Sequence, residues 1–123
     1  MRRAIVFAAL LSWTAPTFAQ HVHEKGPNGG TMEEIAGVDA EFVTSGNKMT
    51  FHLFDKNAKP VPSESFTGAV LVSGSGGKET LTLVAVGENS LQAEAKTPIA
   101  AGTAVTLSLK TAAGKSGQAK FKK

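Results

Sequence analysis

Val38-Asp39-Ala40-Glu41-Phe42-Val43-Thr44-Ser45-Gly46-Asn47-Lys48-Met49-Thr50-Phe51-His52-Leu53-Phe54 is the stretch on which the fold turns. Val38, Ala40 and Phe42 alternate with Asp39, Glu41 and Val43, and after a break Met49, Phe51 and Leu53 alternate with Thr50 and His52. A period of two belongs to a strand with one buried face, because successive side chains leave the pleated backbone on opposite sides. Between the two runs stands Gly46-Asn47, a pair that accepts positive φ at low cost and suits a two-residue hairpin loop. Placing the loop there sets the register. Phe42 then faces Phe51 on the core side, and Glu41 faces His52 on the other. A slip of one residue would set Phe42 against Thr50 and mix the faces.

The same alternation continues in both directions. A short strand is predicted near Thr31 to Ile35, turning at Ala36-Gly37 into Val38. Beyond Phe54, the loop Asp55 to Lys59 and the stiff Pro60-Val61-Pro62 interrupt the pattern, since proline cannot donate to a central ladder. Further strands are predicted at Thr67 to Ser73, Lys78 to Val86, Ser90 to Ala95, Ala104 to Thr111 and Gln118 to Lys122. No helical period of useful length appears. Short strands punctuated by Gly, Asn, Pro and Ser predict an all-β chain: an immunoglobulin-like antiparallel β-sandwich of about seven or eight strands over residues 31–123.

Upstream, Arg2 and Arg3, the apolar run Ala4 to Leu11, and Thr17-Phe18-Ala19 read as a signal peptide over residues 1–19. The apolar run is far shorter than the ~20 residues a membrane-spanning helix requires. The expected product is Gln20 to Lys123, 104 of the 123 residues, without a membrane span and delivered to the periplasm. Removing Arg2 and Arg3 from thirteen basic residues leaves eleven against ten acidic ones. So even a balance argues against nucleic acid, whose binders concentrate basic charge on one face. The tail lysines Lys115, Lys120, Lys122 and Lys123 read as a solvated terminus.

There is no cysteine, which removes disulfides, thiolate metal sites and thiol catalysis together. Trp13 is the single tryptophan, it falls within the signal, and tyrosine is absent. A sugar-stacking platform or an aromatic cage is therefore not expected.

His21-Val22-His23-Glu24-Lys25-Gly26-Pro27-Asn28-Gly29-Gly30 joins the signal to the strands and reads as a flexible arm over residues 20–30 ending in a Gly-rich turn. In an extended arm His21 and His23 point the same way and can share one ion. Cleavage after Ala19 adds a free amino group nearby, and nitrogen-rich tetragonal sites suit copper(II) or nickel(II). His52 and Glu41 are further candidates if the arm folds back across their sheet. A carboxylate beside His52 would favour the imidazolium and compete with a metal. The plainer reading of this couple is an exposed cross-strand His–Glu pair. Met32 is a weaker copper(I) candidate, and Met49 belongs to the core. The backbone N–H groups of the Gly-rich turn can also form a concavity for an anion, although the spacing does not single this out.

His-x-His followed by Gly-Pro-Asn-Gly-Gly and a short β domain resembles small exported bacterial proteins. It is also similar to the N-terminal metal-binding segment of periplasmic adaptor subunits in heavy-metal efflux pumps, where a second His commonly stands at the position of Asn28. The resemblance lies mainly in residues 21–30. It implies a periplasmic address and a role in copper or zinc handling, with an efflux-system or other envelope protein as partner. The expected function is therefore non-enzymatic binding of copper or zinc, for buffering or delivery, with His21, His23, His52 and Glu41 as metal candidates. The alternative is a metal-independent module that binds another envelope protein through an exposed strand edge. No Gly-x-Ser-x-Gly elbow or paired-carboxylate pattern suggests an enzyme.

Overall fold

A computed structural model describes residues 25–74 and 77–123; the signal segment and the arm as far as Glu24 lie outside the described residues. Among the described residues nine strands form two antiparallel sheets. The strands are β1 (Thr31–Ile35), β2 (Val38–Ser45), β3 (Lys48–Phe54), β4 (Phe66–Gly74), β5 (Gly77–Thr82), β6 (Val84–Val86), β7 (Ser90–Glu94), β8 (Ala104–Thr111) and β9 (Ser116–Lys122). One sheet runs β1-β2-β3-β7-β6 and the other β5-β4-β8-β9. Their inner faces pack as a sandwich, as the alternation requires. Among the described residues no helix is long and apolar enough to cross a membrane.

The β2–β3 hairpin has the expected register: Ser45 pairs with Lys48 across Gly46-Asn47, Phe42 with Phe51, and Glu41 with His52. Gly46 has φ +60°, the left-handed conformation that such a loop demands. The β1–β2 turn at Ala36-Gly37 likewise places both residues at positive φ, +49° and +85°. The two sheets meet in a phenylalanine cluster. Phe42 and Phe51 stack with ring centroids 5.3 Å apart, and Phe121 of β9 lies 5.3 Å from Phe42 and 5.5 Å from Phe51. Met49, Leu53, Val70, Leu91, Val105, Leu107 and Leu109 complete the buried layer. Each large side chain removed from water contributes about 1.5–3 kcal/mol before the ordering entropy is counted.

One strand divides. Lys78 to Val86 reads as a single run because Leu81, Leu83 and Ala85 alternate without a break. Instead β5 pairs with β4 in one sheet and β6 pairs with β7 in the other. At the crossing the buried Leu83 donates its N–H to the carbonyl of Gly68 at 2.9 Å. The chain thus changes sheets at the buried Leu83, beyond which β6 is exposed, and among the described residues nine strands stand where seven or eight were expected.

Candidate functional site

The Gly-rich turn is built from its own sequence. Gly29 donates to the carbonyl of Gly26 at 2.9 Å, and Gly26 donates to the carbonyl of Gly30 at 2.8 Å. Pro27 stands at the second position of the four-residue turn, where its fixed φ is pre-set. Gly29 takes φ +79°. Lys25 and Thr31 then pair as an isolated antiparallel bridge, which closes a small hairpin onto the first strand.

What holds this hairpin down is Glu41. The register puts its side chain on the outer face of the five-stranded sheet, yet it is fully buried, at 0% exposure. One carboxylate oxygen, Oε2, accepts the backbone N–H groups of Asn28 and Gly30, both at 2.8 Å, while Oε1 accepts from Asn28 Nδ2 at 2.9 Å. Donors aimed at an ionised acceptor make the stronger class of hydrogen bond. The turn is thus an anion-binding concavity, and the anion in it is the protein's own carboxylate. The close approach requires glycine. A Cβ at Gly26 would lie 2.6 Å from Glu41 Oε2, and one at Gly30 would lie 2.9 Å from the backbone carbon of Phe42. No buried side-chain polar atom is left unpaired among the described residues.

This changes the reading of Glu41 and His52. They are direct cross-strand neighbours, but they do not make the exposed ion pair expected of them. The carboxylate turns to three N–H donors that need an acceptor, because the turn would otherwise bury them unpaired. His52, half-buried, has its Nδ1 2.8 Å from the hydroxyl of Ser90 on β7. The pairings place Met32, Glu41, His52, Ser90 and Val86 in one row across the outer face of the sheet. Sequence reasoning missed Ser90. Its signal is the β3–β7 register, which joins segments 38 residues apart and is invisible to local pattern.

His21 and His23 lie outside the described residues. Among the described residues no group of three His, Asp or Glu side chains converges to hold a metal. Elsewhere on this face Lys56 bridges Glu34 at 3.1 Å and Asp39 at 3.4 Å. Its hydrogen bond to Glu34, followed by the fields of both carboxylates, raises the ammonium pKa. A shallow depression of about 690 Å³ on the other sheet is lined by Thr67, Ser108, Lys110 and Gln118, among others. It contains neither histidine nor carboxylate. The chain matches no protein-family model, no curated protein and no solved structure.

Proposed function

We propose that this chain is an exported, non-enzymatic periplasmic protein that binds copper or zinc through His21 and His23 and serves in buffering or delivery of the metal. The observation that carries this reading is the Glu41 clamp. It anchors the turn beside a face bearing His52, and the bridge at Lys25 sets the root of the His-x-His segment against β1. His52 is two strands from Met32, about 10 Å at the usual interstrand spacing. Neutral imidazoles suit either metal, and the likeness of residues 21–30 to the adaptor segments supports the choice.

The test is a copper(II) titration of the processed chain. Stoichiometric binding with a nitrogen-rich electron paramagnetic resonance spectrum is expected, as is its loss in a His21→Ala, His23→Ala double variant that keeps its β-type circular dichroism. Protein that ignores both copper and zinc would end this reading. The second reading, an interaction module for an envelope protein, is favoured by the edge strand β6, where Val84 and Val86 are 63% and 42% exposed. Unpaired edge groups with apolar side chains suit strand addition.

A further inference from the structure

The fold sorts the charges of this chain in a way that its composition does not. Across the four-stranded sheet the registers place Lys78, Ser73, Ala104 and Lys122 in one row, and Thr80, Leu71, Thr106 and Lys120 in another. Val72, Val105 and Phe121, in the row between them, are buried against the other sheet, so both lysine-bearing rows lie on the outer face. Lys110 stands on the same side of β8 as Thr106 and continues that face. All four lysines are exposed. We propose that this outer face is a docking surface for an anionic phospholipid bilayer. The proposal stands apart from the metal reading.

Glu79 is the single carboxylate in these four strands. It pairs with the buried Val72 and so belongs to the inner side, where its Oε2 accepts the backbone N–H of Lys96 at 3.3 Å. The outer face therefore carries four ammonium groups and no acid. Elsewhere among the described residues seven lysines meet nine acidic residues. Lys48 pairs with Glu94, and Lys56 with Glu34 and Asp39, all acids of the five-stranded sheet. A chain close to electrical balance is thus polarised, with a net −2 behind a face of +4. A one-signed face of this kind steers the molecule toward a negative surface and orients it there.

The spacing suits a plane. At the usual strand separation and rise, Lys78 and Lys122 stand roughly 14 Å apart, and the patch runs about 20 Å from Lys122 to the row of Lys110. Four charges on one side of a sheet reach a flat surface together, each flexible stem adjusting to the headgroups. Between them the face carries hydroxyls, Thr67, Thr80, Thr106 and Ser108, which are donors for phosphate oxygens. Leu71, near the middle, is 38% exposed, an apolar contact that the acyl boundary accepts. Nucleic acid fits this face less well. Arginine, whose fork grips phosphates and guanine edges, is absent from the described residues. No aromatic side chain lies on the face to stack a base.

The experiment is co-sedimentation of the chain Gln20 to Lys123 with vesicles of phosphatidylglycerol and phosphatidylcholine, against vesicles of phosphatidylcholine alone. Binding is expected on the anionic vesicles only. It should fade between about 0.1 M and 1 M salt, as the Debye length shrinks from about 10 Å to about 3 Å. Each lysine held near an anionic bilayer is worth about fivefold in partitioning. Lys120→Gln with Lys122→Gln should therefore weaken binding by about 25-fold, and Lys78→Gln with Lys110→Gln by a similar factor. Lys120→Arg with Lys122→Arg keeps the charge and should keep the binding. Lys48→Gln with Lys56→Gln removes the same charge from the side of the other sheet, a Debye length or more away, and should change binding by less than about twofold. Circular dichroism should be unchanged throughout. A parent chain that ignores anionic vesicles overturns the proposal. So does a loss in the Lys48, Lys56 pair as large as in the Lys120, Lys122 pair, since net charge would then explain it without a face. Binding to duplex DNA or heparin with none to vesicles also overturns it and gives the face to another polyanion.

Discussion

Replacing Glu41 by alanine should unlatch the turn. The substitution deletes the acceptor of three hydrogen bonds of 2.8 to 2.9 Å, leaving the backbone N–H groups of Asn28 and Gly30 and the Asn28 side-chain amide without it. A buried donor left unpaired costs about 1–3 kcal/mol. Asn28 and Gly29 are exposed, so water can enter once the carboxylate is gone, and the lower end applies to each donor. The expected loss is about 2–4 kcal/mol. Against a total of roughly 5–15 kcal/mol for an ordinary domain, this is a large fraction. Glu41→Gln keeps the volume and one acceptor oxygen but forfeits the charge and turns an NH₂ group toward a donor, so it should fall between alanine and the parent. Urea unfolding of the processed chain, followed by far-ultraviolet circular dichroism, reads the cost. With a slope of about 1–3 kcal/mol per molar urea, the midpoint should drop by roughly 1–2 M. Amide exchange at Asn28 and Gly30 should accelerate while Phe42 and Phe51 stay protected until global unfolding. If Glu41→Ala keeps the parent midpoint and the two amides remain as protected as before, the clamp contributes nothing and this account of the turn is wrong.

Four further outcomes follow from the packing and the surface charges. Gly30→Ala drives a Cβ to 2.9 Å from the rigid backbone carbon of Phe42 and should cost about 2 kcal/mol or more in urea midpoint. Gly46→Ala, at φ +60° but in open space, should cost only about 1 kcal/mol. Phe51→Ala opens a cavity beside Phe42 and Phe121 at a fully buried position, with an expected loss of about 3–5 kcal/mol by the same measurement. Lys56→Met should leave the midpoint unchanged at pH 7, because its ion pairs are exposed and solvent-screened. The Lys56 pKa is raised in the folded state. Its small contribution is therefore fully present below the unfolded pKa and is lost as alkaline pH passes through the folded value; the stability curves of parent and variant should run parallel, within the error of the midpoint, through neutral pH and converge in strong alkali.

Much of the fold was legible because hairpins are local. Gly46-Asn47 marks the loop, the alternation on each side marks the faces, and together they leave one register for Phe42 and Phe51. The crossing at Leu83 was not legible. Leu81, Leu83 and Ala85 keep the same spacing whether the run stays in one sheet or passes to the other, and the choice rests on partners as distant as Gly68 and Leu91. The candidate site divides in the same way. His21, His23 and His52 stand out by residue type, and the pairing of Glu41 with His52 follows from the loop. Ser90 carries no mark of its own until β7 is laid against β3.

By itself the sequence determined an all-β chain, its hairpin between β2 and β3, and the sides on which Phe42 and Glu41 would lie, since a period of two sorts side chains between faces wherever the strand is placed. Tertiary structure alone decided what covers each face. Glu41 is buried because a turn eleven to thirteen residues upstream lays its N–H groups over the carboxylate, and His52 is held by a hydroxyl from a strand 38 residues away. Alternation is a property of consecutive residues. A hydrogen-bond partner supplied from elsewhere in the chain depends on where the whole backbone brings its unpaired donors, and they go to the nearest acceptor able to spare them burial unpaired.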